Sequence, residues 1–407
     1  MPARTTLERS LSLPLITLYG LGTTIGAGIY ALVGEVAGGA GMYAPVAFLV
    51  ASALAAASAL SFAELSSRYP KSAGEAFYVR EAFSRPALAT TVGLLVVASG
   101  SVSAATIANG FVGYLRELVP VPRALALVLL IGSLGALAAW GIRESARVAG
   151  LITLIEVGGL ALVAWVARDS FAELPDRLPE LLPPPDAAIW SGILGASVLA
   201  FYAFLGFEDM VNVAEEVRDV RRVLPLAIVI TLVLTTVIYG GIAIVAVLSV
   251  PPALLAESEA PLALVIERTT GRAATTVSLV SIVAMVNGAL VQVIMASRVI
   301  YGLADQGSIP ARFGRVSPRT RTPLLATGAV TFAVMALALA FGLEPLARVT
   351  SLVTLSIFAI VNLSLLRIKY REPPPRGSAI VPAWVPVLGF LASAGIIAFE
   401  LARTRGP

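Results

Sequence analysis

Apolar residues run along this chain in long blocks, each closed by a short cluster of Arg, Glu, Pro or Gly. A block of about 20 residues, rising about 1.5 Å each as a helix, crosses the roughly 30 Å hydrocarbon core of a bilayer. The pattern predicts eleven such helices, over residues 13–37, 43–66, 86–117, 124–142, 145–167, 188–213, 223–250, 273–303, 322–342, 345–366 and 380–401. The predicted fold class is therefore an all-α integral membrane protein.

The connections carry the next layer of information. With the N-terminus inside, the inner connections hold most of the basic residues, from Arg4 and Arg9 through Arg68, Lys71, Arg80 and Arg85, then Arg143 and Arg147, to the clusters around Arg221, Arg315 and Arg371. The positive-inside rule then predicts a cytoplasmic N-terminus and a multi-pass protein of the cell membrane. Arg4 and Arg9 ahead of an apolar run also resemble the start of a signal peptide, but no small-residue cleavage site closes it, so a retained first helix is expected.

The longest outer connection, RDSFAELPDRLPELLPPPDAA, is acidic and proline-rich and falls between the fifth and sixth helices. It divides the map into five, five and one: a transport core over 1–372, with halves 1–170 and 171–372, and an extra C-terminal helix over 373–407. Many secondary transporters are two inverted repeats, each opening with a broken helix whose exposed backbone forms the substrate site. Here the corresponding helices are the first, with GTTIGAG, and the sixth, with FLGFEDM, so both are expected to be broken.

Composition narrows the function classes. Hydrophobic residues make up 57% of the 407 and charged residues only 13%, well below the roughly 25% of soluble domains. With no cysteine and no histidine, the chain lacks thiolate nucleophiles, thiolate metal sites and the commonest general base. No cluster of nucleophile, base or metal ligands suggests an enzyme, no P-loop suggests an ATP-driven pump, and no selectivity ring suggests a channel. The net charge of +4 is spread over many connections, which disfavours nucleic acid as a partner.

The stretch GLGTTIGAGIY, Gly20 to Tyr30, places four glycines in a membrane helix, each costing about 1 kcal/mol relative to alanine. Non-helical backbone at membrane depth survives only where protein or a wet cavity satisfies it. An unwound TTIGAG would offer amide N–H groups at a half-helix N-terminus to a carboxylate and free carbonyls to an ammonium or sodium ion, and an amino acid carries both groups. Gly22 and Gly26 also have the spacing of close helix packing. A dinucleotide loop fits poorly, because Ile25 stands where its third glycine belongs.

At these residues the chain resembles the amino acid–polyamine–organocation superfamily, closest to its cationic amino-acid transporter-like permeases. GTTIGAGIY is similar to the family's first-helix signature, and AELSSRYPKSAGEAFYVREAF from Ala63 to the segment after the second helix. GIRESARV, FYAFLGFEDMVNVAEEVRDVRRVLPLAI from Phe201 and SRVIYGLADQGSIPARFGRVSPRTRTP from Ser297 also match its pattern. Glu75 in place of a small residue, Val220 in place of a proline and Asp305 with Gln306 depart from it.

The resemblance implies a ten-helix inverted-repeat core of the leucine-transporter type, needing no cofactor beyond an ion gradient. Backbone near Thr24, Gly26, Ala27 and Gly28 would receive a substrate carboxylate. Carbonyls near Thr23, Phe201, Tyr202 and Phe204 would receive its amine, with Phe201 or Tyr202 as an aromatic lid. Core packing is the competing role for those aromatics. Relatives that dimerise often use late helices, of which one is predicted here beyond the ten-helix core, so the oligomeric state is open and a monomer is compatible with the sequence.

One charge stands out. Glu156 lies eleven residues from Ser145 and from Ala167, about 16 Å from either end and so near the midplane. A carboxylate there costs about 2.5–3.5 kcal/mol on insertion scales. Some relatives carry a lysine at the aligned place. Glu156 is expected to carry a proton through the cycle, its competing role being a structural hydrogen bond. Sodium coupling would draw on Ser278, Ser281 or Asn287, or on Glu156 itself. Glu208, after the second break, is a candidate gate or a cap. Asp209, Glu215 and Glu216 are expected to pair with the arginines after them, and Glu64 with Arg68. The walls around 103–107 and 351–356 are small and weakly polar, which favours neutral amino acids. The expected function is secondary active transport of an amino acid, with a membrane-embedded sensor using the same pocket as the alternative of another class.

Overall fold

The computed structural model describes residue 9 and residues 11–71, 74–141 and 146–405. Arg4, Arg143 and residues 142–145 of the GIRESARV motif lie outside the described residues, as do Ser72 and Ala73. Helices follow in order as α1 (Leu13–Ile25), α2 (Ala27–Ala40), α3 (Ala44–Arg68), α4 (Gly74–Phe83), α5 (Pro86–Leu118), α6 (Arg123–Trp140) and α7 (Ala146–Val166). After the short α8 (Arg168–Ala172) and α9 (Leu174–Arg177) come α10 (Ala187–Ala203), a 3-10 segment Phe207–Glu216, and α11 (Val220–Ser249). The chain ends with α12 (Pro252–Glu257), α13 (Pro261–Thr270), α14 (Thr275–Asp305), α15 (Leu324–Ala340), α16 (Leu343–Arg371) and α17 (Trp384–Arg405).

Among the described residues, nine helical runs are long and apolar enough to cross a membrane, with Leu13–Ile25 and Leu324–Ala340 as shorter apolar helices. The chain is a multi-pass membrane protein. Of the eleven predicted segments, the first is cut in two at Gly26 and the ninth forms a helix of 17 residues, which is why these two fall short as single spans. Helix starts follow local chemistry: Pro86 and Pro261 open α5 and α13, where a missing N–H costs nothing. Asp186 caps α10 by accepting from the Ala188 and Ile189 amides at 2.8 and 3.1 Å. Trp140, Trp165 and Trp384 stand exposed at helix ends, as expected of side chains that anchor at membrane–water interfaces.

The packing has a repeated pattern. α5 lies along α14, α3 along α11, α2 against α10 and α6 against α15. α1 rests on α7 and α11, while α10 rests on α16 and α3; α16 crosses α5 as α14 crosses α7. Three polar ties hold the periphery. Glu64, fully buried on α3, receives Arg68, Lys369 of α16 and the Val381 amide. Asn362 of α16 meets Ser58 and Ser61 of α3 at 2.9 and 2.6 Å. Ahead of α1, Leu11 pairs with the strand-like end of the 3-10 segment, its amide donating to Glu216 O at 3.0 Å and its carbonyl accepting from the Arg218 amide at 2.9 Å. Interhelical side-chain hydrogen bonds such as those of Asn362 are worth about 0.6 kcal/mol on average inside a membrane bundle.

Candidate functional site: a cavity where two helix breaks cross

The first helix breaks at one residue. Gly26 has φ −37° and ψ −135°, neither helical nor extended, and separates α1 from α2. A Cβ placed on Gly26 would meet nothing within 4 Å. Its neighbours differ. A Cβ on Gly22 would lie 2.1 Å from Thr153 Oγ1, and one on Gly28 would lie 2.4 Å from Ala203 Cα. Gly22 and Gly28 therefore permit close helix packing, whereas Gly26 borders open space.

The second break is wider. α10 ends at Ala203, the Phe204 and Leu205 amides fold back onto Phe201 O and Tyr202 O at 3.0 and 3.1 Å, and Gly206 takes φ +123°. That value favours glycine. Its absent side chain is also a spatial requirement, because a Cβ there would sit 2.2 Å from Thr23 O. The two breaks thus cross in contact. Thr23 Oγ1 lies 2.9 Å from Gly206 O, and also within reach of Tyr19 O and Gly20 O, with one proton to donate among them.

Beside the crossing is a cavity lined by Thr23, Thr24, Gly26 and Gly28 from the first helix and Tyr202 and Leu205 from the second. Ser103 and Ile107 of α5, Ala149 and Thr153 of α7, and Asn287, Gly288, Val291 and Gln292 of α14 complete the wall with Tyr19 and Gly22. Every lining side chain is uncharged. The Tyr202 hydroxyl stands 2.9 Å from Ser103 Oγ, which fixes its ring at the cavity edge. The first turn of α2 begins at this wall, and the leading amides of a helix have no intrahelical acceptor.

The remaining sequence-selected residues sit nearby but outside the lining. Phe201 packs edge-on against Phe358 at 5.9 Å and Phe204 against Tyr239 at 5.1 Å, both fully buried. Ala27 opens α2, and its side chain lies outside the described residues. Glu208 accepts the Gly206 amide at 2.8 Å, holding the second break from below. Glu156 is fully buried, its carbonyl accepting the Tyr30 hydroxyl at 2.6 Å, and it lies within electrostatic reach of Tyr30 and Tyr239. Ser281 donates to Val277 O within its own helix, and neither it nor Ser278 lines the cavity.

Two residues that the sequence reading passed over hold the crossing together. The Tyr239 hydroxyl of α11 stands 2.8 Å from Thr24 O and 2.9 Å from Ala203 O, one carbonyl from each break. Its single proton serves one at a time. Thr153 of α7 lies 3.1 Å from Leu18 O, reaching the α1 backbone one turn before Glu156. The available signal was weak: a lone tyrosine or threonine within an apolar helix, at a depth where polar groups seek backbone partners. Glu64 does face Arg68, at 2.7 Å, as expected.

The chain matches the family model described as amino acid permease over residues 11–405. It is 29% identical over 404 residues to cationic amino acid transporter 3, mitochondrial, of Arabidopsis thaliana, covering 90% of this chain and 63% of that one. It is 25% identical to the branched-chain amino acid permease of Bacillus subtilis, covering 95% and 86%, and 25% identical to the methylthioribose transporter of the same organism, covering 96% and 87%. The chain thus spans less than two thirds of the length of that plant relative.

Proposed function

The chain belongs to the amino acid permease family, and from that premise we propose that it is a secondary active transporter of amino acids in the cell membrane, working by alternating access with its N-terminus in the cytoplasm. The observation that carries this reading is the contact of two helix breaks beside one cavity, with Thr23 and Gly206 touching where they cross. The substrate carboxylate meets the amides that open α2, around Gly26, Ala27 and Gly28, where the half-helix dipole favours negative charge. The amine faces the carbonyl side, near Thr23, Phe201, Tyr202 and Phe204, and Tyr202 closes over it.

The uncharged wall suits a neutral amino acid, since a buried ammonium or guanidinium side chain would need an acid opposite it. This differs from what the plant relative's name says of that protein.

The five-plus-five inverted repeat over 1–170 and 171–372, with 373–407 as an added helix, is supported by the mirrored packing. If α1/α2, α3, α5, α6 and α7 correspond to α10 with its 3-10 segment, α11, α14, α15 and α16, then α1 on α7 maps onto α10 on α16. In the same way α1 on α11 maps onto α10 on α3, and α16 on α5 onto α7 on α14. Four of the equivalent pairs also pack against each other: α2 with α10, α3 with α11, α5 with α14 and α6 with α15.

For coupling, Glu156 serves as the proton carrier, reaching both breaks through Tyr239, while Glu208 takes part in gating at the second. No histidine is present to take that role. A thermal-shift panel on the purified protein tests the substrate assignment. Neutral amino acids are expected to raise the melting temperature and lysine or arginine to leave it unchanged; stabilisation by the cationic pair alone would contradict it.

A further inference from the structure

The helix α4 lies outside the spanning helices and packs its buried face against α5, α16 and the 3-10 segment that follows the second break. That face carries Glu75, only 7% exposed, at the position where the sequence departs from the small residue of its resemblance. Tyr78, one turn on, is fully buried, and its hydroxyl has no hydrogen-bond partner among the described residues. It lies within electrostatic reach of Glu75. From the 3-10 segment Asp209, 6% exposed, and Glu208 lie within reach of the same carboxyl. Asn212 brings the segment against the start of α4, its Oδ1 2.9 Å from where a Gly74 Cβ would sit.

The nearby cations are occupied elsewhere. Lys71 and Arg80 stack on Phe77, on the other side of α4. Arg367 and Arg371 of α16 donate to Ala82 O at its far end, and Lys369 and Arg68 hold Glu64. Glu372 accepts from Tyr69. Three carboxyl groups and a phenol therefore converge where these cations do not reach them. Burial alone lifts the Glu75 carboxyl to about 7, since a desolvated carboxylate without a cation favours its neutral form.

We infer that Glu75, facing Asp209 and Tyr78, is a proton-binding site that latches α4 onto the 207–216 segment when protonated and loosens it when the proton leaves. A neutral Glu75 adds no like charge beside Asp209, whereas an ionised one faces that charge in a low-dielectric setting. The linkage runs one way. The folded value is raised above the ordinary carboxylate value, so the stabilisation is complete below about pH 4.5 and is lost as pH rises through about 7. Because Glu208 and Gly206 continue from this segment to Thr23, the latch connects pH on the α4 side to the movement of the second break. Only that consequence rests on the transport reading; proton binding does not.

The test is hydrogen exchange on the full chain in nanodiscs, without substrate, following peptides over 204–219 at pH 6 and pH 8 after correction for the chemical exchange rate. Wild-type protein is expected to exchange about 3-fold faster at pH 8, and E75Q to hold the pH 6 behaviour at both. D209N, which removes the like charge but leaves Glu75 buried, is expected to keep a reduced response. A wild-type response absent, or retained in full by E75Q, would overturn the latch. A missing uptake activity would bear on the transporter assignment alone.

Discussion

The two helix breaks use the same device to different ends. At the first, the interruption is a single residue, Gly26, with open space on its side-chain face, and the flanking glycines serve close packing. At the second, the chain leaves the helix at Phe204, turns at Gly206 and continues as 3-10 turns over Phe207–Glu216, kinked at Val213. There the surroundings are filled: Phe207, Phe62 and Phe358 meet with ring centroids 5.3–6.0 Å apart. On the proposed transport reading, the first break supplies the carboxylate site, while the second adds the amine-side contacts and the segment that moves. Lengthened 3-10 backbone is often found at hinges.

Substitutions can break or sharpen that contrast, beginning with the largest effect. Gly206→Ala forces a Cβ into Thr23 O at a positive φ, so the destabilisation should exceed about 3 kcal/mol and appear as lost expression or an aggregated size-exclusion profile. Gly26→Leu should instead give a monodisperse, normally melting protein with substrate binding abolished. Equal unfolding by both variants would remove the distinction between the breaks. Glu156→Gln is expected to keep substrate exchange and to lose acceleration by an inward proton gradient in vesicle uptake. Tyr239→Phe removes the proton shared between Thr24 O and Ala203 O, and should lower the melting point by the equivalent of about 1–2 kcal/mol while slowing uptake. Thr153→Val removes a hydroxyl that stands 3.1 Å from Leu18 O and 2.9 Å from Ala149 O, and should cost about 0.6 kcal/mol in stability, the smallest effect of the set.

Hydropathy alone located every long helix, because lipid imposes length and composition on a spanning segment. The connections were less legible. α4, α12 and α13 are short, and their pattern is amphipathic instead of uniformly apolar, so they read as loop. The glycines predict unwinding across TTIGAG, because glycine is costly in a helix, but the break is confined to Gly26, and Gly22 and Gly28 carry the same letter for a different reason, which only the facing Thr153 and Ala203 reveal. Asp209 was expected to pair with an arginine toward the inner surface and instead lies buried in reach of Glu75, a contact between segments far apart in sequence that no local pattern encodes. Tyr239 and Thr153 share that limitation: each acts through a backbone carbonyl of another helix, and carbonyls leave no trace in the sequence.

The central claim is proton-driven transport of a neutral amino acid, and uptake into proteoliposomes tests it most directly. A labelled neutral amino-acid mixture is offered under an inward proton gradient or an inward sodium gradient. Accumulation above the external concentration with the proton gradient alone, lost in Glu156→Gln, is the predicted result. Accumulation that needs sodium, or no uptake under either gradient, would contradict it.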